Sequence, residues 1–169
     1  WRRRPATRSR TPSRSRDRTD SVPPMSIYDV AINRLDGSPA DLHDYEDKAV
    51  LLVNVASQCG LTPQYTGLEQ LQEQYAARGF SVLGVPCNQT NYGITFPMTE
   101  KVEVNGDGRH DLYQQLVDVS DAEGHTGDIR WNFEKFLVAP GGEVVARFNP
   151  MTEPTADEIV AAVEKVLPA

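Results

Sequence analysis

The segment from Val53 to Tyr65 contains a lone cysteine, Cys59, between a predicted strand and a predicted helix. The residues before it, Lys48 to Val55, form an almost continuous apolar run of the kind found in the centre of a sheet covered on both faces. After it, Thr62 and Pro63 have the residue types of a helix cap and a first helical residue. The pattern therefore predicts that Cys59 lies at the carboxyl edge of a sheet, just before a helix N-terminus.

A cysteine in that position can become a reactive thiolate. Unpaired backbone N–H groups and the helix dipole favour negative charge at a helix N-terminus, which lowers the pKa of a thiol from its ordinary value of about 8.5. The thiolate is the nucleophilic form of cysteine, so Cys59 is the candidate reactive residue. The alternative is that Cys59 is a small buried apolar residue, as most free cysteines are.

The elements around this cysteine predict an α/β fold. The strand before Cys59, a helix that ends at Gly79 and a second strand at Phe80 to Val85 form a parallel pair with a right-handed crossover. The layout is that of a thioredoxin-like domain, a central mixed sheet flanked by helices. The other predicted elements are a hairpin from Ile27 with a turn at 36–39, a strand and turn at 101–106, a helix at Asp111 to Val119, antiparallel strands at Asn132 to Val138 and Glu143 to Phe148, and a helix at Ala156 to Leu167.

The first 24 residues differ in composition from the rest of the chain. They contain eight arginines and two aspartates, and almost no aliphatic residues, so they cannot form a core and are expected to be disordered. Such a segment also has the composition of an organelle transit peptide or of a nucleic-acid-binding arm. Because the ordered pattern opens at Met25, we favour Met25 as the natural start, with residues 1–24 being upstream sequence, and residues 25–169 as one domain.

Charge and cysteine content limit the function classes. The leader carries a net charge of +6 and the whole chain −7, so residues 25–169 carry −13, which opposes binding to nucleic acid or to an anionic membrane. No apolar run is long enough to span a membrane. The two cysteines, Cys59 and Cys87, form no CxxC motif and have no histidine cluster, so they do not indicate a zinc site; a reducing, cytoplasmic compartment fits them.

Three separated motifs follow one another along the chain. They are Asn54-Val55-Ala56-Ser57-Gln58-Cys59-Gly60, Pro86-Cys87-Asn88-Gln89 and Trp131-Asn132-Phe133-Glu134-Lys135-Phe136-Leu137. Together and in this order they resemble the glutathione peroxidase family. The resemblance covers nearly all of residues 25–169, and it implies a thioredoxin fold and the reduction of hydrogen peroxide and organic hydroperoxides by thiols in the response to oxidative stress.

The resemblance implies a role for three of these residues. Cys59 matches the peroxidatic position, and Trp131 and Asn132 match the tryptophan and asparagine of the family's catalytic tetrad. An indole N–H and an amide N–H can hydrogen-bond a thiolate or a bound peroxide oxygen. Without the resemblance, Trp131 is equally well explained as a half-buried aromatic residue at a strand start, and Asn132 as a turn residue.

The chain departs from the family pattern after Gln89. The tetrad glutamine and the resolving cysteine of thioredoxin-dependent relatives both belong to a stretch that is missing here, so an internal deletion is expected. Gln58 or Gln89 is a possible substitute for the glutamine. The oxidised Cys59 would be reduced by an external thiol, thioredoxin or glutathione, or by Cys87. No bound cofactor and no metal are expected, and a monomer is favoured.

The alternative to an active enzyme is a catalytically impaired family member that acts as a redox sensor or binding module, or a truncated gene product. Other polar residues are expected to be solvated and not catalytic. They are His43, His110 and His125, and the acids Asp118, Asp121 and Glu123.

Overall fold

The computed structural model of the protein describes residues 26–86 and 94–169. A four-stranded sheet in the order β4-β3-β5-β6 forms its centre, and a two-stranded hairpin, β1-β2, lies beside it. The strands are β1 (Ile32–Asn33), β2 (Pro39–Ala40), β3 (Ala49–Val55), β4 (Phe80–Pro86), β5 (Lys135–Val138) and β6 (Val144–Phe148), and the helices are α1 (Gln64–Tyr75), α2 (Asp111–Leu116) and α3 (Asp157–Val166).

Strand β3 is the central strand that determines where the candidate site lies. It pairs in parallel with β4, from Ala49 opposite Phe80 to Val55 opposite Pro86, and every one of its residues is buried. On its other edge it pairs antiparallel with β5, where Val53 lies opposite Lys135. The end of β3 and the start of β5 therefore meet at one edge of the sheet, because the two strands run in opposite directions.

Apolar side chains cover both faces of the sheet. On one face α1 and α3 pack over β3, β4 and β5, where Leu68, Leu71 and Ile159 are fully buried or nearly so. On the other face α2 and the N-terminal segment pack over the same strands, with Leu112 and Leu116 at the centre. The two apolar clusters make the layers of a thioredoxin-like α/β domain, which confirms the predicted fold class.

Several predicted elements are confirmed nearly to the residue. Strands β3 and β4, their parallel pairing and the crossover through α1 occur as predicted. Helix α1 continues into a 3₁₀ turn and stops at Gly79, whose φ of 79° lies in the left-handed region. The hairpin of β5 and β6 and the terminal helix α3 are also present.

Other predicted boundaries are wrong. Ile27–Asp29 forms a 3₁₀ helix and not a strand, because Ser26 and Asp29 close a capping box around it. Helix α2 ends at Leu116 and does not reach Val119. Residues 101–104 form no regular strand. Strand β5 begins at Lys135, three residues after the predicted start at Asn132.

Some predictions fall on residues that the structure does not describe. The Arg-rich leader at 1–24, the proposed start at Met25, Cys87 and Gln89 all lie outside the described ranges. Within residues 26–86 and 94–169, no helix is both long and apolar enough to cross a membrane.

Candidate active site

Cys59 lies in a tight turn between the end of β3 and the start of α1. The Thr62 hydroxyl accepts a hydrogen bond from the Cys59 backbone N–H at 3.1 Å and donates one to the Ala56 carbonyl at 3.2 Å. The Thr62 N–H donates in turn to the Cys59 carbonyl at 3.0 Å. Thr62 therefore closes the turn around Cys59, and the prediction that it caps α1 is wrong, since Pro63 occupies the cap position.

Three donors converge on the free thiol of Cys59. The Leu61 backbone N–H lies 3.5 Å from Sγ, and the side chains of Asn132 and Trp131 also hydrogen-bond the sulfur. Partial burial acts to raise the pKa of Cys59, but the donors from Leu61, Asn132 and Trp131 outweigh it, so the pKa lies below the ordinary thiol value. Cys59 is half-buried. Its hydrogen bonds favour the nucleophilic thiolate over the alternative of a buried apolar cysteine.

The donors Trp131 and Asn132 come from the turn that precedes β5. The Phe133 N–H donates to the Asn54 carbonyl at 2.6 Å, and the Asn54 side chain donates to the Trp131 carbonyl at 3.0 Å. Because Asn54 lies near the end of β3, these bonds bring the turn next to the segment that carries Cys59. The structure therefore brings together the three predicted residues Cys59, Trp131 and Asn132.

A buried network of charges holds the other side of this turn. The fully buried Glu134 carboxylate accepts hydrogen bonds from the Arg130 N–H at 2.8 Å and from its guanidinium at 2.8 Å, and Arg147 donates to it at 2.8 Å. Arg147 is also buried and donates to four carbonyl oxygens of the loop before the turn. The network fixes both ends of the stretch that carries Trp131 and Asn132.

Asp121 joins this network, and its predicted position in a solvated loop is wrong. Its carboxylate is buried and lies 2.5 Å from an Arg130 nitrogen, and its pKa is lowered because hydrogen bonds from His125 and Arg130 outweigh the effect of burial. Asp118 and Glu123 are exposed as predicted. In the described ranges no group of acidic, histidine and cysteine side chains could hold a metal ion.

Lys135, the first residue of β5, is a further buried charge. Its ammonium donates to the Pro150 carbonyl at 3.1 Å and to the Thr152 carbonyl at 2.5 Å. Burial lowers the pKa of Lys135 to about 7, although Glu153 and Glu134 oppose this change. The sequence contained a signal for two of the buried charges, Glu134 and Lys135, because they directly precede three apolar residues of one short strand.

The other polar residues singled out in the sequence have no described contact with the sulfur or lie outside the described ranges. The side chain of Gln58 is exposed, and Gln89 lies outside the described residues. The prediction that the histidines have polar surroundings is confirmed. Their contacts are His43 with Asp29 at 3.2 Å, His110 with the Leu112 N–H at 3.3 Å, and His125 with the Asp128 carbonyl at 3.0 Å.

The fold and the activated cysteine define a thioredoxin-fold protein with a thiol site at the strand-to-helix turn. Comparison with known proteins gives the family. Residues 27–90 match the family model described as glutathione peroxidase. The chain is 46% identical to the hydroperoxy fatty acid reductase gpx1 of Synechocystis, over 84% of this chain and 96% of that protein. The chain belongs to the glutathione peroxidase family.

Two further relatives agree with this assignment. The thioredoxin/glutathione peroxidase BtuE of Escherichia coli is 38% identical, over 84% of this chain and 97% of that protein. The crystal structure of T. cruzi GPX1 superimposes with a TM-score of 0.71 at 35% identity, covering 84% of this chain and 94% of that one. The protein is an oxidoreductase of the peroxidase class that reduces peroxides with thiols, and the comparisons favour this function over that of an inactive binding module.

Proposed function

We propose that Cys59 is the peroxidatic residue and that Trp131 and Asn132 stabilise the charge that moves during the reaction. The Cys59 thiolate attacks one oxygen of the hydroperoxide, a sulfur–oxygen bond forms and the oxygen–oxygen bond breaks. The leaving oxygen takes up a proton and departs as water or an alcohol, and Cys59 becomes a sulfenic acid. The groups that donate hydrogen bonds to Sγ also lie close to a peroxide oxygen that approaches the sulfur. There they offset the negative charge that develops as the oxygen–oxygen bond breaks.

The cycle closes with an external thiol. One thiol attacks the sulfenic sulfur and releases water, and a second thiol breaks the resulting mixed disulfide and restores Cys59. Two electrons pass from two thiols to the peroxide, so the reaction needs neither a metal nor a bound cofactor. Thioredoxin or glutathione supplies these thiols.

The observation that carries this proposal is the convergence of three donors on one half-buried sulfur. The N–H of Leu61 and the side chains of Asn132 and Trp131 lower the pKa of Cys59 against the opposing effect of burial. A structural cysteine in an apolar setting has a raised pKa and is inert. The arrangement at Cys59 has the opposite electrostatic effect, which is the one that a nucleophile requires.

The substrates proposed are hydrogen peroxide and organic hydroperoxides, including those of lipids. Trp131 is 62% exposed, so the side of the site that carries its indole is open to solvent, where a large hydroperoxide can approach. The relative with the highest identity cited above is called a hydroperoxy fatty acid reductase. We place the protein in the cytoplasm as a monomer, with residues 25–169 as its catalytic domain.

The test treats the reduced protein with hydrogen peroxide or a fatty-acid hydroperoxide in the presence of dimedone, which reacts with sulfenic acids. Peptide mass spectrometry should find the adduct on Cys59, and Cys59→Ser should abolish it. Turnover is then followed as NADPH consumption with thioredoxin and its reductase, or with glutathione and its reductase. Cys87→Ser is the matched control, and it should retain the adduct.

Two outcomes would contradict the proposal. If neither hydroperoxide gives an adduct on Cys59, the residue is not peroxidatic. If the adduct forms but neither reductant supports turnover, the protein responds to oxidation without being a peroxidase, which is the behaviour of a redox sensor. Loss of turnover in Cys87→Ser alone would assign the resolving role to Cys87.

A further inference from the structure

One side chain, that of Asn54, links the sheet to the turn that carries Trp131 and Asn132. Its Nδ2 donates to the Trp131 carbonyl at 3.0 Å, while its backbone carbonyl accepts from the Phe133 N–H at 2.6 Å. Asn132 lies between these two bonds. A single residue of β3 therefore holds the backbone on both sides of Asn132.

The environment of Asn54 is costly for an amide. Asn54 is 1% exposed, lies between the buried residues Val53 and Val55, and is opposite Val85 of β4. Its Oδ1 has no hydrogen-bond partner among the described residues. A buried amide with an unsatisfied oxygen is less stable there than an apolar side chain of the same size would be. The asparagine differs from such an apolar side chain because its Nδ2 donates a hydrogen bond to the Trp131 carbonyl.

The backbone that Asn54 holds would not keep its shape alone. Phe133 has a φ of 66°, in the left-handed region that a bulky side chain rarely adopts. Such a conformation persists only where the surroundings impose it. The Phe133 ring is buried and packs edge-on against the Tyr65 ring, with 5.3 Å between the ring centroids. Glu134 fixes the far end of the turn by accepting the Arg130 N–H. The Nδ2 bond of Asn54 is a side-chain restraint on the end of the turn that is next to β3.

We propose that Asn54 is a positioning residue for the reaction at Cys59, because its Nδ2 fixes the Trp131 carbonyl and so directs the Trp131 and Asn132 side chains to the sulfur. Asn54 does not touch the reacting atoms. Without its donor the turn keeps the Phe133 N–H bond but can rotate about it, and the donors move away from Sγ. The inference rests on the proposed role of Cys59 and adds a residue to it.

The test compares Asn54→Leu, which keeps a similar volume and removes the donor, with Val50→Ala. Val50 lies on the same face of β3, four residues towards its other end, about 13 Å from Asn54. Val50→Ala weakens the core away from the turn, whereas Asn54→Leu acts on the turn, because it removes the donor to the Trp131 carbonyl. Two readings are taken on each, the pH dependence of Cys59 alkylation by iodoacetamide, with Cys87 replaced by serine throughout, and the rate of Cys59 oxidation by hydrogen peroxide.

In Asn54→Leu we expect the alkylation midpoint to move to higher pH and the oxidation rate to fall on the order of tenfold or more. In Val50→Ala both readings should equal those of the parent. If Asn54→Leu loses stability but keeps the parent midpoint and rate, Asn54 is merely structural and the inference is wrong. Should Asn54→Leu not fold, Asn54→Ala, which also removes the donor, takes its place with the same two outcomes.

The alkylation reading separates this inference from the proposed function, because it needs no peroxide. If hydrogen peroxide fails to oxidise Cys59 in the parent protein, the proposed function is wrong. A shifted alkylation midpoint in Asn54→Leu would then still show that Asn54 positions the donors around the sulfur. An unshifted midpoint together with normal oxidation in the parent would overturn only the role of Asn54.

Discussion

The Cys59 thiol is subject to two opposing effects. Partial burial favours the neutral form, and the hydrogen bonds from Leu61, Asn132 and Trp131 favour the thiolate more strongly. One of these three donors is a backbone N–H of the turn itself, and the other two are side chains from a segment more than 70 residues away. The lowered pKa of Cys59 therefore depends on tertiary structure, and not only on the place of the residue before a helix.

Replacement of a side-chain donor should weaken the thiolate. In Trp131→Phe and in Asn132→Ala we expect the pKa of Cys59 to rise, because a donor to the charged form is lost. The rate of oxidation by hydrogen peroxide at neutral pH should fall about 10- to 1000-fold. Stopped-flow oxidation and iodoacetamide titration measure the two effects.

The control for this prediction is Leu35→Ala, which removes an exposed apolar side chain far along the sequence from the turn. It should leave both the pKa and the oxidation rate unchanged. An unaltered rate in both Trp131→Phe and Asn132→Ala would mean that the two donors are dispensable.

Lys135 gives the stability of the protein a definite pH dependence. Its pKa is about 7 in the folded state, whereas an unfolded lysine titrates near 10.4. Between the two pKa values the unfolded state binds one proton more than the folded state at this residue. The contribution of Lys135 to the free energy of unfolding should therefore increase by up to about 1.4 kcal/mol per pH unit. Below pH 7 both states are protonated and this contribution to the slope vanishes.

Urea unfolding at several values between pH 7.5 and 9.5 tests this dependence. In Lys135→Met the free energy of unfolding should increase less with pH than in the parent. In Lys165→Met, at an exposed position in α3, it should increase as in the parent. Parallel curves for the parent and Lys135→Met would show that Lys135 stays charged in the folded protein.

At the scale of elements, the turn before β5 is stabilised by a network of buried charges. Glu134 and Arg147 are both fully buried or nearly so, and they contact each other at 2.8 Å. Removing Glu134 leaves the buried Arg147 without its carboxylate partner, and removing Arg147 leaves the buried Glu134 with Arg130 as its remaining cationic partner. Breaking such a buried ion pair costs roughly 3 to 5 kcal/mol. Glu134→Leu and Arg147→Met should therefore each destabilise the protein strongly.

The double variant should cost clearly less than the sum of the two single variants, because neither charge is then left alone. Urea unfolding of the four proteins gives the coupling free energy. A coupling near zero would mean that the two residues act independently, with Arg147 serving only the carbonyl oxygens of the preceding loop.

The elements that the sequence predicted best are those governed by local patterns. Strand β3 and the stop of the first helix at Gly79 follow from an apolar run and from a residue that tolerates positive φ. The position of Cys59 alone predicted a reactive thiol, whereas the roles of Trp131 and Asn132 were predicted only from the resemblance. Thr62, Glu134 and Lys135 were misread or given no role, since their partners are set by the tertiary fold and not by their neighbours in sequence.

At the scale of the whole molecule, one domain accounts for the described structure. The two apolar clusters that cover the sheet draw on residues from Ile27 to Leu167, and together they line both faces. Such a two-sided core is what an independently folding α/β domain requires. The Arg-rich segment 1–24 contributes a charge of +6 and almost no aliphatic side chains.

We expect a protein that begins at Met25 to behave as the full chain does. Its urea midpoint and its rate of Cys59 oxidation should match those of the full chain, because the core and the donors around the sulfur are retained. Circular dichroism and stopped-flow measurements on both proteins provide the comparison. A large loss of stability on removing residues 1–24 would show that the leader belongs to the folded domain.

The exposed Trp131 gives the domain an internal optical reporter. The chain contains two tryptophans, Trp1 and Trp131, so a protein that begins at Met25 has a single indole, hydrogen-bonded to the sulfur of Cys59. Conversion of that sulfur from thiolate to sulfenic acid changes the charge next to the fluorophore. The emission of the unlabelled protein should therefore follow its redox cycle in real time.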